Sequence, residues 1–487
     1  MKKFFLAGVI YAWLAFAAWS QTNVTAQASQ LELQGDFKQA ATVLRAAIAS
    51  GNYSPAETKT LEFEADRLRR IKMDYSLTQE RLFAELSDSV RDLTRAEFDK
   101  WIKLGWFDGR PIDGSEFYFK DSVDNLYFRH PEFDARRMDG KDKRQKELFR
   151  LSEVTAIKQA SLEQKSPYVL PKTFHINTTV TVASNTTPKD ETIRAWIPIP
   201  RKNAFQSDFK LISSAAAPKS IDVESSPIRS IYFEEPSAGN VSTKFAIEYE
   251  YTIRGVHFDL QPEKIQPYDP NDEAVKLFTG EAQHVVFTPE IKALSASIVG
   301  GETNPMLKAK KIFDWQSSHL QYSYALEYST IRNISDYCRS HGYGDCGQQA
   351  LLFITLCRYN GVPARWQTGW DLTPNGTTIH DWTEIYLAPY GWVPVDPYMG
   401  NYAMRYITTL TAAQRIEIRD FYFGGLDRYR MIANSDHEQQ LNPPKQSFRS
   451  DDVDFQRAEI EHNGTNIYFD QFSYKLTYKM IPPSTVP

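Results

Sequence analysis

An apolar run from Ala350 to Cys357 (Ala-Leu-Leu-Phe-Ile-Thr-Leu-Cys) is preceded by Gly344-Asp345-Cys346-Gly347 and followed by Asn360-Gly361-Val362-Pro363. A helix apolar on almost every side must be packed inside a core. Asn-Gly followed by Pro stops it. Cys346 therefore falls in the first helical turn, where free backbone N–H groups and the helix dipole favour a thiolate, the nucleophilic form of cysteine. Gly344 and Gly347 on either side allow a sharp turn and the close approach of a substrate carbonyl.

The residues after the helix read as strands. Arg365 to Asp371 is one, Thr373-Pro-Asn-Gly-Thr377 a turn, Thr378 to Leu387 a second strand, and Trp392 to Asp396 a third after the Ala388-Pro-Tyr-Gly391 turn. Alternation puts His380, Trp382, Glu384 and Tyr386 on one face. An antiparallel hairpin can bring Asp396 beside His380, although the sequence does not set the register. The set is then a thiol, an imidazole to move its proton, and a carboxylate to hold the imidazole tautomer. Each residue also has a structural use: a buried inert thiol, a structural histidine, a turn cap before Pro397. His341, five residues before Cys346, is the rival base.

Gly-Asp-Cys346, Gly361-Val-Pro-Ala-Arg365, His380-x-Trp382 and Trp392-Val-Pro-Val-Asp396-Pro397 together resemble the transglutaminase-like superfamily, whose core is a papain-like cysteine-protease fold. The resemblance implies an α+β catalytic domain with Cys346 as nucleophile, His380 as base and Asp396 as orienting acid. It also implies an upstream oxyanion donor, which this sequence does not identify. Trp366, Trp370, Trp382 and Trp392 are candidates to line the cleft, with Trp382 and Trp366 taken as substrate-binding; tryptophan at alternate strand positions is equally often core.

Length and composition set the frame. A chain of 487 residues, 42% apolar and 24% charged, is globular and long enough for about three domains. The formal charge of -5, without a basic run, points away from nucleic acid. Met1-Lys-Lys followed by an apolar stretch from Phe4 to Trp19, with Ala18-x-Ser20 before Gln21, reads as a secretory signal over residues 1–20; an uncleaved anchor is the alternative. The expected location is secreted, periplasmic or extracellular, with no membrane association after cleavage. Cysteine occurs only at 338, 346 and 357. An odd number in a secreted chain suggests one free reactive thiol, while Cys338 and Cys357 are either a pair or buried thiols. No Cys/His spacing marks a zinc site, and no metal or cofactor is expected.

Residues 21–166 read as mainly helical. Phe37, Ala40, Ala41, Leu44 and Ile48 recur at helical spacing up to Gly51. Ser54-Pro-Ala-Glu57 and Thr94-Arg-Ala-Glu97 look like capping boxes, and Asp108-Gly109 with Asp113-Gly114 predicts turns or a small hairpin. The region carries no recognisable chemistry and suits packing or binding of a protein partner. Residues 167–260 alternate, most cleanly at Phe245, Ile247, Tyr249, Tyr251 and Ile253, and predict a β-sandwich of immunoglobulin-like kind. Pro198 and Pro200 suggest that one strand lies at a sheet edge. Residues 261–272 are Pro-rich and read as a linker. The catalytic domain is expected over 273–487, with helices after Thr288-Pro289 and Asn304-Pro305 packing on the Cys346 helix. Its tail holds Asp451, Asp452 and Asp454, read as a solvated acidic turn in preference to a calcium site.

The expected function is a secreted hydrolase, a peptidase or amidase, that attacks the amide carbonyl of a protein or peptide substrate through an acyl-enzyme. An amine acceptor in place of water would make it a protein-glutamine γ-glutamyltransferase. A peptide N-glycanase-like amidase acting on glycopeptides shares the same three residues, and a non-catalytic binding or scaffold protein would keep the fold without turnover.

Overall fold

The computed structural model describes residues 24–139, 143–269, 271–374 and 376–482, so the expected signal at 1–20 lies outside the described residues. The chain divides into two compact units, one ending at Gly140 and one beginning at Lys141.

In the first unit, helices Phe37–Ala49 and Pro55–Asp74 pack as a pair through Phe37, Ala40, Leu44 and Leu61. Ser54 and Glu57 form the reciprocal capping box that their spacing predicts. Thr94 also caps its helix, Arg95–Lys103, but the Glu97 carboxylate turns away to a bidentate pair with Arg136 at 2.6 and 2.9 Å. Strands Gly109–Ile112 and Ser115–Phe119 make the expected hairpin, and Tyr75–Leu77 adds to its second strand. Helix Arg144–Gln164, placed by sequence with this helical region, belongs to the second unit. Its Val154 and Ile157 enter that unit's core, and Gly255 has no side chain because Ile157 fills the space.

The second unit contains two five-stranded sheets. In one, strand Thr243–His257 lies between Tyr168–Val182 and the short Gly425–Leu426, with Gln206–Ser214 also pairing to it. The other centres on Thr192–Pro198 and Ser230–Pro236. Alternate residues of Thr243–His257 are buried, among them Phe245, Ile247, Tyr249, Tyr251 and Ile253, as the period of two requires.

Three expectations change here. Strand Thr192–Pro198 is not at an edge: Glu459–His462 pairs along its other side. That pairing stops at Trp196, so the missing N–H of Pro198 is never required. Residues 261–269 are not a free linker, because they are strapped to the later hairpin. Gln261 N donates to the Tyr390 hydroxyl, Gln266 N to the Ala388 carbonyl, and the Tyr268 hydroxyl to the Tyr386 carbonyl at 2.6 Å. Finally, the chain after the expected active-site residues returns to the sandwich. Phe472–Ile481 pairs with Tyr168–Val182 across ten residues, from Phe472↔Val182 to Ile481↔Thr173. The segment assigned by sequence to a continuous catalytic domain thus completes both sandwich sheets.

The chain between these sandwich strands forms a further layer, a four-stranded sheet in the order Gly391–Val395, Thr378–Leu387, Ala364–Asp371, Arg430–Asn434. Helix Cys346–Tyr359 packs against it and is covered in turn by helices Pro289–Val299 and Pro305–His319. Leu351, Leu352, Phe353, Ile354 and Leu356 are fully buried, in keeping with an all-round apolar helix. One apolar core runs through the sandwich and this layer.

Candidate active site

Asp345 is the N-cap of helix Cys346–Tyr359: its side chain accepts from Gln348 N, and Gln348 answers by accepting from Asp345 N, closing a capping box. Cys346 is therefore the first residue of the helix. The glycines beside it are explained by packing. A side chain on Gly347 would run into the Tyr328 hydroxyl, the Asp381 carboxylate and Trp366, and one on Gly344 into Gln348 and the Cys338 sulfur.

The hairpin register sets the second half of the site. Thr383 pairs with Val395, so the strand ends with Asp396 alongside the stretch that carries His380. His380 Nε2 lies 2.8 Å from Asp396 Oδ2. Asp396 is fully buried, caps helix Pro397–Arg405 by accepting from Met399 N at 3.0 Å, and takes a second ion pair from Arg430 Nη2 at 3.1 Å. Burial alone would raise its carboxyl; His380 and Arg430 outweigh it and hold the group below the usual carboxylate range. Arg430 is itself fully buried, shared with Asp427 and seated over the Trp382 ring. His380 opens onto a cavity of about 350 Å³, lined also by Lys146, Phe149, Arg150, Asp371, Tyr398 and Tyr402.

The next residue along the strand, Asp381, faces the opposite way and meets the start of helix Cys346–Tyr359. Cys346 Sγ donates to Asp381 Oδ2 at 3.5 Å, and among the described residues no hydrogen bond joins Cys346 to His380. Gln456 Nε2 donates to Asp381 Oδ1 at 2.8 Å, as does Thr368 Oγ1. The Tyr328 hydroxyl sits 2.9 Å from both Asp345 oxygens and 3.2 Å from Asp381 Oδ2, bridging the two acids.

This surrounding reverses the expectation of a thiol lowered by the helix start. Burial first, then the charges of Asp381 and Asp345, push the Cys346 thiol well above its ordinary range. Burial likewise pushes Asp381 up to about 7, Asp345 to about 6 and Asp454 to about 8.

The other candidates separate clearly. Trp366 and Trp382 are fully buried with their indole N–H groups unsatisfied, so they pack the core under the site and do not wall an open cleft. Trp370 is buried as well, and Trp392 packs on Phe278, Tyr386 and Arg365. His341 ends helix Ile334–His341 in an exposed position, stacked on Tyr337. Cys338 and Cys357 are buried thiols and form no disulfide. Asp451 and Asp454 are buried, not a solvated turn; Asp451 Oδ1 accepts from Val453 N and Asp454 N. Among the described residues no group of three or more His, Cys, Asp or Glu is placed to hold a metal.

Sequence reasoning missed Asp381, Tyr328, Gln456 and Arg430. Asp381 had a signal, standing between His380 and Trp382; the others reach the site only through long-range pairing.

Residues 292–397 match the family model of the transglutaminase-like superfamily. An uncharacterised protein of Bacillus subtilis (strain 168), YebA, is 26% identical over 129 residues, which cover 23% of this chain and 17% of that protein. Among solved structures, a "putative cysteine protease" from Cytophaga hutchinsonii aligns over 65% of this chain and 93% of its own, at 15% identity and a TM-score of 0.42. The periplasmic domain of TgpA from Pseudomonas aeruginosa aligns over 51% of this chain and 94% of its own, at 13% identity and a TM-score of 0.26.

Proposed function

Residues 292–397 belong to the transglutaminase-like superfamily, and on that premise we propose that this chain is a secreted thiol enzyme that opens amide carbonyls through an acyl-enzyme and passes the acyl group to water. The observation that carries the reading is the chain Arg430, Asp396, His380, which ends at an open cavity lined also by Tyr398, a neighbour of Cys346. Asp396 occupies Nε2 of His380, leaving Nδ1 as the nitrogen for the thiol.

In the reaction, Cys346 Sγ attacks the carbonyl carbon while its proton passes to His380. Asp396, kept anionic by Arg430, stabilises the imidazolium. The backbone N–H at the helix start stabilises the oxyanion. His380 then protonates the leaving amine, deprotonates a water, and the thioester is hydrolysed to a carboxylic acid and free Cys346. Water is the default acceptor in an open cavity, and we take it over an amine.

No described helix is long and apolar enough to cross a membrane, and we assign the mature protein to the periplasm or the cell exterior, with a peptide, protein or glycopeptide substrate. The helical unit before Gly140 is proposed as a module for a protein partner. A second reading, a binding or scaffold protein without turnover, is favoured by the thiol's bond to Asp381 in place of His380.

Mass spectrometry of a mixed peptide and glycopeptide pool with an added primary amine, wild type beside Cys346→Ala, tests the reading. Cleavage or loss of ammonia or glycan that needs Cys346 is expected. Incorporation of the amine would make the protein a transglutaminase, and no Cys346-dependent product at all would favour the scaffold.

A further inference from the structure

The reaction above gives Asp381 no part, yet Asp381 is the hydrogen-bond partner of the nucleophile. We infer that Asp381 is a positioning residue for Cys346: its ionised carboxylate holds the thiol protonated and parked, and proton uptake by Asp381 frees the thiol to ionise toward His380. The inference rests on Cys346 being the nucleophile.

The geometry gives Asp381 two separate halves. Oδ1 is fixed by Gln456 and Thr368, from the C-terminal segment and the neighbouring strand. Oδ2 is left to the Cys346 sulfur at 3.5 Å and the Tyr328 hydroxyl. With Asp381 ionised, Oδ2 can only accept, and the S–H bond supplies the proton. In the productive step the S–H bond breaks, its electron pair stays on sulfur and the proton goes to His380 Nδ1. An ionised Asp381 would then face a thiolate at 3.5 Å, two negative charges in a buried site. A protonated Asp381 reverses the bond, its O–H donating to the thiolate, and the pair carries one charge instead of two.

The groups around the pair favour the proton. Asp345, from the helix cap, shares Tyr328 with Asp381 and faces it as a like charge, while Asp454, from the C-terminal segment, is itself pushed up by burial and by Asp381. On the other side Asp396 is matched by His380 and Arg430. Tyr322 and Tyr398, also close to Cys346, stay neutral because burial pushes their hydroxyls well up. Asp381 itself is pushed up to about 7 by burial and Asp345, within the range where a proton is readily exchanged.

The pH dependence of Cys346 alkylation by iodoacetamide, read on its own peptide by mass spectrometry, tests this. A coupled thiol and carboxylate lose their protons as a pair, so the wild-type rate should rise, level off near pH 7 and rise again. Asp381→Asn should give a single rise displaced to lower pH, with alkylation at pH 7.5 at least about tenfold faster once the like charge is gone. Tyr328→Phe removes a donor that favours the ionised Asp381, so it should shift the profile the same way by less. A single unbroken rise in the wild type overturns the inference whether or not the variants fold. A break that persists in Asp381→Asn belongs to His380 and overturns it too. Alkylation needs no turnover, so an Asp381-dependent profile in a protein without amide products would sink the hydrolase reading and leave this one standing.

Discussion

Asp396 does three things at once: it caps a helix, accepts from His380 and receives Arg430. An amide at this position keeps the size and loses the charge. Asp396→Asn should therefore lower kcat by about 10²- to 10⁴-fold while the protein still folds, because His380 loses both its tautomer lock and its counter-ion. The check is the rate of formation of the Cys346-dependent product. A kcat within about threefold of wild type would remove Asp396 from the machinery. His380 and Asp396 were legible because each stands at the end of a short, strongly patterned strand, and a tight hairpin leaves few registers. Arg430 and Tyr328 were not. Arg430 lies 34 residues beyond Asp396 in a stretch without clear period, and arrives by pairing of Arg430–Asn434 with Ala364–Asp371. The fate of Trp366 and Trp382 was equally hidden, since alternation shows which residues share a face but not whether that face is covered.

The contact between helix Cys346–Tyr359 and the sheet depends on one missing side chain. Gly347 lets the helix start settle against Tyr328, Asp381 and Trp366, none of which has room to retreat. Gly347→Ala should cost about 1–3 kcal/mol by overpacking, measured by chemical denaturation, and should disturb the alkylation of Cys346 together with stability. An alanine variant as stable as wild type would mean that the helix start can shift freely. The helix itself was readable from its apolar run and its stop signal; the capping box that Asp345 and Gln348 form at its start was not read from the sequence. Gly347 was assigned a different purpose from sequence, substrate approach, because what fills the space beside it comes from residues 328, 366 and 381. Pro198 shows the same limit: a proline is tolerated in an interior strand once the neighbouring strand stops short of it.

The whole second unit has an unusual acid content in its interior, with Asp345, Asp381 and Asp454 all holding protons more tightly than they would unfolded. A carboxyl whose folded pKa is raised contributes stability that is fully present below its unfolded pKa, near 4, and is lost as pH rises through the folded value. The melting transition of this unit should therefore fall as pH rises from about 4 to 8, and Asp381→Asn should flatten the slope, as scanning calorimetry would record. A midpoint that climbs over the same range would mean that these acids are ionised at little cost. The sandwich was legible from its alternating strands, but not its closure: Glu459–His462 and Thr465–Ile467 are too short to show a period, and the strand that Glu459–His462 joins lies more than 200 residues earlier. That closure has a mechanical meaning. Thr173 and Ile481 sit opposite each other on antiparallel strands, so the chain enters and leaves the sandwich at the same end of one ladder. Tension applied at Ser166 and Pro482 would load the rungs one after another, from Ile481↔Thr173 toward Phe472↔Val182. The seam is built to peel like a zip under a small force instead of resisting in shear.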